Sequence, residues 1–407
     1  MSHMIPFSPP RIDQMIIDEV IDTLKSGWIT TGPKTKLFEQ RLTAYYQAKA
    51  TLCLNSATAG LELMLRWFGV GPGDEVIVPA YTYCATANVV LHCGATPVMV
   101  DVNASDFNID VEKVKAAISQ RTKVIIPVDI AGFPCDYDEL YQLVNEDAIR
   151  ALFCPTTEVQ QKLGRILILA DAAHSLGAVY KNQKIGSVAD ITVFSFHAVK
   201  NLTTAEGGAV ALNLPDPFDN ERLYKYLAIF SLHGQSKDAL AKMQKGAWRY
   251  DVIEAGYKAN MTDIQASIGL VELSRYDHDT LVKRKYVCEF YHSCLGKYEW
   301  ATLPPLRSDD KVSSFHAYLL RIKGINEEKR DLIIQKIFER NVSVNVHFQP
   351  LPLLTAYKNL GYKINDFPIS YHNYAQEISL PVFYDITDVQ LQQVVDAVVN
   401  SVNEVLV

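Results

Sequence analysis

The sequence predicts an α/β protein: a mainly parallel sheet covered by helices, followed by a smaller C-terminal α+β domain. Three observations carry this. Short runs rich in Val and Ile alternate with amphipathic stretches through the first two-thirds of the chain. That alternation stops near Tyr276. At 407 residues, 48% hydrophobic and 21% charged, the chain has material for two buried cores.

Residues 13–25 read as a helix, with Ile16, Ile17, Val20, Ile21 and Leu24 at three-and-four spacing and Gly27 as its stop. Residues 33–46 read as a second helix. Apolar runs at 75–79, 97–100, 124–128, 166–170, 191–195 and 209–212 read as buried strands. Helical patterns at 59–68, 111–117 and 136–144 lie between them. Residues 147–165 read as a long connection from helix to strand. Beyond Tyr276 the pattern gives a polar helix at 277–295, a strand at 318–322, a helix at 327–340, a strand at 342–346 and an amphipathic helix at 389–406. The expected division is a large domain, residues 1–276, and a small one, residues 277–407.

The net charge is −7, and no basic stripe is present, which speaks against a nucleic-acid binder. No apolar run approaches the roughly 20 residues of a membrane helix. The seven cysteines are scattered and form no CxxC, so neither a disulfide framework nor a structural zinc site is expected, nor any other metal. No charged segment leads into an apolar one at the start, and the expected compartment is the cytoplasm.

The segment 191–209 carries the clearest chemistry. A strand ends at Ser195, a polar stretch holds His197 and Lys200, and Gly207 and Gly208 lead into the next strand. A lysine just past the C-terminal end of a strand sits where open α/β sheets bind ligands. Partial burial there lowers its pKa and makes it a usable nucleophile. Alone, such a lysine is an ordinary surface charge. Asp171 ends another strand, with His174 in the following turn. Asp171 reads either as a helix N-cap or as a carboxylate that protonates the ring nitrogen of a bound cofactor. The segment 55–60 (Asn-Ser-Ala-Thr-Ala-Gly) opens a helix, as either a plain cap or a phosphate cradle. Tyr83, past a further strand, is a core aromatic or a ring-stacking one. A cradle, a stacking aromatic, a ring-nitrogen acid and a nucleophilic lysine together are the equipment for pyridoxal 5′-phosphate (PLP).

On these residues the chain resembles the DegT/StrS sugar-nucleotide aminotransferases of fold-type I. The matching segments are 27–34 (Gly-Trp-Ile-Thr-Thr-Gly-Pro-Lys), 56–60, 94–102, 171–174 (Asp-Ala-Ala-His), 195–201 (Ser-Phe-His-Ala-Val-Lys-Asn), 205–208 (Ala-Glu-Gly-Gly) and 256–260 (Gly-Tyr-Lys-Ala-Asn). Within the family they are most similar to UDP-4-amino-4-deoxy-L-arabinose–oxoglutarate aminotransferases. The resemblance implies Lys200 as the covalent anchor of PLP, Asp171 as the ring-nitrogen acid, His174 beside the ring and Tyr83 stacked on it. It implies Thr58, the backbone of Ala59, and Ser195 at the phosphate. Asn260 is implied to reach the cofactor phosphate of a neighbouring subunit, hence a homodimer with shared sites. His347, in 345–350 (Asn-Val-His-Phe-Gln-Pro), and Arg249 are implied near the substrate. The implied reaction cycles PLP through pyridoxamine 5′-phosphate (PMP), taking an amino group from L-glutamate, leaving 2-oxoglutarate, and giving it to a nucleotide-linked keto sugar. Three departures stand out: Asp129 and Ala170 replace other family residues, and 147–165 is long. Rival expectations are a sugar dehydratase on the same scaffold, disfavoured because Lys200 is present, and a PLP-binding regulator without turnover.

Overall fold

The computed structural model describes residues 4–236 and 249–406. Its centre is a seven-stranded sheet. In chain order its members are β1 (Ala50–Leu54), β2 (Glu75–Pro79), β3 (Thr96–Val100), β4 (Thr122–Ile125), β5 (Leu167–Asp171), β8 (Ile191–Ser195) and β9 (Gly208–Leu212), and a small hairpin supplies β6 (Val179–Tyr180) and β7 (Gln183–Lys184). The spatial order is β1-β9-β8-β5-β4-β2-β3. Only β9 runs against its neighbours, pairing antiparallel with both β1 and β8. The other six strands therefore end on one edge, where β9 begins. Gly208 is opposite Leu54 on one side and Ser195 on the other.

Both faces are covered, as continuous apolar strands require. On β8 the side chain of Val193 meets Gly60 of the helix Ala57–Trp67, whereas the ring of Phe194 stacks on Tyr46 of the helix Pro33–Tyr46 at 4.3 Å. Successive strand residues point to opposite faces. The two helices thus sandwich the sheet. Local chemistry fixes the helix ends. Asp13 accepts from the main-chain N–H of Ile16 to start Gln14–Ser26, and Gly27, at φ 75°, stops it. Thr262 and Gln265 form a reciprocal capping box on Asp263–Arg275.

The C-terminal part builds an antiparallel sheet from β10 (Ala301–Thr302), β12 (Tyr318–Ile322) and β13 (Glu377–Leu380). Helices Leu281–Leu295, Glu327–Glu339 and Asp388–Leu406 pack together beside it. β11 (Lys311–Val312) leaves this part to pair with β6. Two main hydrophobic cores result. Ile5 belongs to the C-terminal core, and Leu351, Tyr357 and Phe367 to the core around the large sheet.

Two sequence expectations are corrected. Residues 147–165 are not a structureless connection but hold two short helices, Asp147–Leu152 and Glu158–Leu163. Thr157 caps the second by accepting from Gln160 N–H, the buried Gln160 amide donates to the carbonyl of Phe68 at 2.9 Å, and Gly164 terminates it. Residues 342–346 are not a strand. They make isolated bridges only, Val342 to Ile5 and Asn345 to Ser379. The expected helix at 277–295 opens as one π-turn, Tyr276–Thr280. β1 and the helices Ala85–His92, Asn220–Phe230 and Pro368–Gln376 were not foreseen.

Candidate active site

A cavity of about 470 Å³ opens at the edge where the parallel strands end. Thr58, Tyr83, Asp171, His174, Ser195, Lys200 and His347 all line it. Six of them leave the sheet from four strands: Thr58 after β1, Tyr83 after β2, Asp171 at the end of β5 with His174 just past it, and Ser195 at the end of β8 with Lys200 just past it. His347 comes from the C-terminal part, as do His316 and Phe348.

Asp171 is buried, and no helix follows it, so the N-cap alternative fails. Its carboxylate accepts from Thr86 Oγ1 at 2.8 Å and from the main-chain N–H of Ala173 at 3.2 Å. Burial pushes its pKa up, opposed by those two hydrogen bonds and by Lys200. The Lys200 amine lies in the turn after β8, where its main-chain N–H donates to the carbonyl of His197 at 2.9 Å. Burial lowers its pKa to about 8, opposed by the charge of Asp171. A lysine near 8 supplies free amine at neutral pH far more readily than one at the ordinary 10.5.

His174 stacks on His316 at 4.3 Å and on Phe348 at 5.6 Å. Burial and the nearby Lys200 hold its pKa well below the usual imidazole range. Its buried Nδ1 has no hydrogen-bond partner among the described residues. A buried polar atom without a partner is costly, and a ligand at this spot would satisfy it.

The helix Ala57–Trp67 aims its N-terminus at the cavity. Ser56 Oγ accepts from Ala59 N–H at 3.1 Å. Ala59, expected at the phosphate, thus has its N–H engaged by Ser56 and does not line the cavity. The residues available are Ala57 and Thr58, whose N–H groups have no partner among the described residues. A Cβ at Gly208 would lie 2.4 Å from Ala57 N and 2.5 Å from the carbonyl carbon of Ser56. Glycine there lets the sheet approach the helix start, and with the hydroxyl of Ser195 this forms a concave, donor-lined end suited to an anion.

Two expected residues lie elsewhere. Asn260 does not line this cavity but a second one of about 410 Å³, with Thr31, Lys36 and Ser231. It runs beside the end of β1, bridging Leu54, and its amide donates to Thr31 Oγ1 at 2.6 Å and contacts Lys258 Nζ. Arg249 is exposed and lines neither cavity. Sequence reasoning missed Phe7, Thr86, His316 and Phe348. Thr86 lies seven residues past β2, and the other three reach the site only through tertiary folding. Among the described residues no group of His, Cys, Asp and Glu is placed to hold a metal ion, and no helix is long and apolar enough to cross a membrane.

Comparison with known proteins agrees with this fold. Spr1654 of Streptococcus pneumoniae, described as a candidate sugar aminotransferase, has a solved PMP form that is 49% identical and superposes with a TM-score of 0.95 over 98% of this chain and 100% of that one. Its PLP form matches at 47% identity with a TM-score of 0.95, covering all of both chains. The spore coat polysaccharide biosynthesis protein SpsC of Bacillus subtilis is 36% identical over 98% of this chain and 97% of its own. Helicobacter pylori PseC, an aminotransferase involved in the biosynthesis of pseudoaminic acid, is 28% identical with a TM-score of 0.85, covering 98% of this chain and 100% of that one. A family model matches residues 10–153 and 155–399. The protein whose cavity joins Lys200 to Asp171 belongs to the DegT/DnrJ/EryC1/StrS aminotransferase family.

Proposed function

We propose that this chain transfers an amino group from L-glutamate to the C4 keto carbon of a nucleotide-linked sugar, making an amino sugar for a surface polysaccharide or related glycan. PLP is the cofactor of this family, and it supplies an electron sink for the carbanion that forms when the donor loses its α-proton. The observation that carries the proposal is Lys200 and Asp171 in one cavity, with the amine's pKa lowered and the carboxylate held by Thr86.

Lys200 is assigned to bond the cofactor and, once displaced by substrate, to move a proton at the donor α-carbon and return it at the sugar carbon. Asp171 is assigned to hold a proton on the ring nitrogen. Thr86 and the Ala173 N–H fix its orientation. Ala57, Thr58 and Ser195 are assigned to the phosphate, His174 and Tyr83 to the ring. His347, beside Phe7, is assigned to the sugar end. The orphaned Nδ1 of His174 and the Gly208 cradle both suit such a ligand.

We further infer a homodimer, with Asn260 serving the partner's cofactor phosphate. Its position away from the Lys200 cavity of its own chain supports this. Residues 1–276 and 277–407 are taken as the two domains, with Ile5 and parts of 351–367 crossing between their cores. The cytoplasm is taken as the compartment.

The test is a half-reaction. PLP-loaded protein given L-glutamate should release one equivalent of 2-oxoglutarate and lose the absorbance of the lysine-bound cofactor. A panel of UDP-, dTDP- and GDP-linked 4-keto and 3-keto sugars should then restore that absorbance, with the product identified by mass. Protein that releases no 2-oxoglutarate would be a cofactor-binding regulator instead. A product lacking oxygen but gaining no nitrogen would make it a dehydratase.

A further inference from the structure

Glu377, on β13, is a fully buried carboxyl for which the reaction above has no use. Its own hydrogen bonds lead toward the active site. Oε2 accepts from the main-chain N–H of His347 at 3.0 Å. Oε1 lies 2.5 Å from Ser379 Oγ, a hydrogen bond that the carboxylate accepts and the protonated carboxyl donates, and that same Oγ lies 2.9 Å from His347 Nδ1. Tyr81 OH donates to the main-chain carbonyl of His347 at 2.5 Å, and Phe7 stacks on its ring at 5.5 Å, so both the backbone and the imidazole are held. With Nδ1 committed to Ser379, the nitrogen left for the cavity is Nε2, which has no partner among the described residues.

The groups facing Glu377 are Arg321 on β12, Arg330 on Glu327–Glu339, and Tyr81. Neither guanidinium bonds its carboxylate. Arg321 donates to Asn373 Oδ1, and Arg330 to the carbonyls of Tyr374 and Glu377. A buried carboxyl retained for an ion pair would be clasped by one of them. Burial instead pushes its pKa up to about 8, so it carries a proton at neutral pH. His347, half-buried and facing Lys200, is held down to about 4 by desolvation and is a neutral imidazole at neutral pH.

We propose that Glu377, Ser379 and His347 form a proton relay that presents the His347 Nε2–H to the carbonyl oxygen of the keto sugar. This deepens the aminotransferase reading and rests on it. Condensation of an amine with a keto carbon forms a C=N bond and releases the oxygen as water. Both hydrogens of that water come from the amine nitrogen in the net balance. An acid lends a proton to the departing oxygen and recovers one from nitrogen. In the relay, Nε2 gives its proton, Nδ1 takes one from Ser379 Oγ, and Oγ takes one from Glu377 Oε1. The imidazole stays neutral throughout. The negative charge ends on Glu377, facing Arg321 and Arg330, and the reverse hops restore the starting state. Glu377 and Ser379 are positioning residues, and His347 touches the substrate.

The test reads the tautomer directly. Full-length PLP-loaded protein is labelled with ¹⁵N-histidine, and the His347 signals are assigned by their loss in His347→Gln. In the wild type, Nε2 carries the hydrogen below pH about 8, and the hydrogen moves to Nδ1 above it. In Glu377→Gln the side-chain oxygen takes the His347 main-chain N–H and the NH₂ faces Ser379, so Nε2 keeps its hydrogen at every pH. A tautomer that ignores pH in the wild type, or shifts equally in Glu377→Gln, overturns the relay. The wild-type titration needs no Glu377 variant to fold. Kinetically, Glu377→Gln should lower kcat of the sugar half-reaction about 10²-fold, because an amide lends no proton, with KM changed by less than about threefold. An unchanged kcat overturns the catalytic part. Wild type that is inert to glutamate overturns the aminotransferase reading and the substrate half of this inference, while the tautomer titration judges the relay by itself.

Discussion

Replacing Gly208 by alanine should loosen the cofactor without touching any group assigned to chemistry. The new Cβ would lie 2.4 Å from Ala57 N, 2.5 Å from the Ser56 carbonyl carbon and 2.8 Å from Phe194 O. All three are backbone atoms, so no side chain can swing aside. Ordinary contact begins at 3.4 Å, and the start of the helix Ala57–Trp67 must recede by roughly 1 Å. Overpacking of this kind costs about 1–3 kcal/mol. The atoms that recede are those of Ser56, Ala57 and Thr58, and a ~1 Å misplacement at a site can cost on the order of 10²-fold. The expected result is PLP affinity at least about tenfold weaker, with a lower melting temperature. The assay titrates apoprotein with PLP and follows the absorbance of the lysine-bound form. Gly71→Ala is the control, because a Cβ there meets nothing within 4 Å. Wild-type affinity in Gly208→Ala would show that the helix start is not the phosphate cradle.

Asp171→Asn should keep the cofactor but lose about 10²-fold or more in turnover, since an amide cannot hold a pyridinium proton. Near-normal turnover would leave Asp171 a turn-forming residue only. Covalent capture of PLP by apoprotein should speed up with pH and level off above about 8, because burial disfavours the Lys200 ammonium and releases free amine at lower pH than usual. A midpoint at the ordinary 10.5 would contradict that burial. Inactive Lys200→Ala and Asn260→Asp proteins, mixed through unfolding and refolding, should regain activity in heterodimers that hold one intact site. No recovery would put Asn260 outside a shared site.

Much of the sheet was legible because its strands are dense in Val and Ile. The expected strands 75–79 and 191–195 coincide with β2 and β8. β1 was not legible: Ala50, Thr51, Leu52, Cys53 and Leu54 contain neither Val nor Ile and follow closely on a helix. Its absence also hid why the cradle opens a helix, since that helix too follows a strand of the sheet. Asp147 to Arg165 looked irregular because its two helices are each six residues long, too short to show a period. Within the site, Asp171 was visible because it ends a strand and Lys200 because it follows one. Which N–H groups of the helix start stay free was not legible, because a single capping hydroxyl, that of Ser56, decides it. Glu377 carried no signal at all. Only the pairing of β12 with β13 and the bridge from Asn345 to Ser379 bring it to His347.

The reversed strand β9 also sets when, during synthesis, this protein becomes able to hold a cofactor. β1 is made first of the seven but pairs only with β9, which is made last. A nascent chain that has emerged as far as residue 207 already contains Ser56, Asp171 and Lys200. Its β1 is still an unpaired edge, and the helix start is held to β8 by Gly60 against Val193 but not yet by Gly208. Insertion of Gly208–Leu212 between β1 and β8 closes both gaps in one event, a long-range pairing of the kind that folds slowly. A chain released from the ribosome but ending before Gly208 would therefore carry every residue assigned to this side of the cavity except Gly208 itself, with β1 still an open edge.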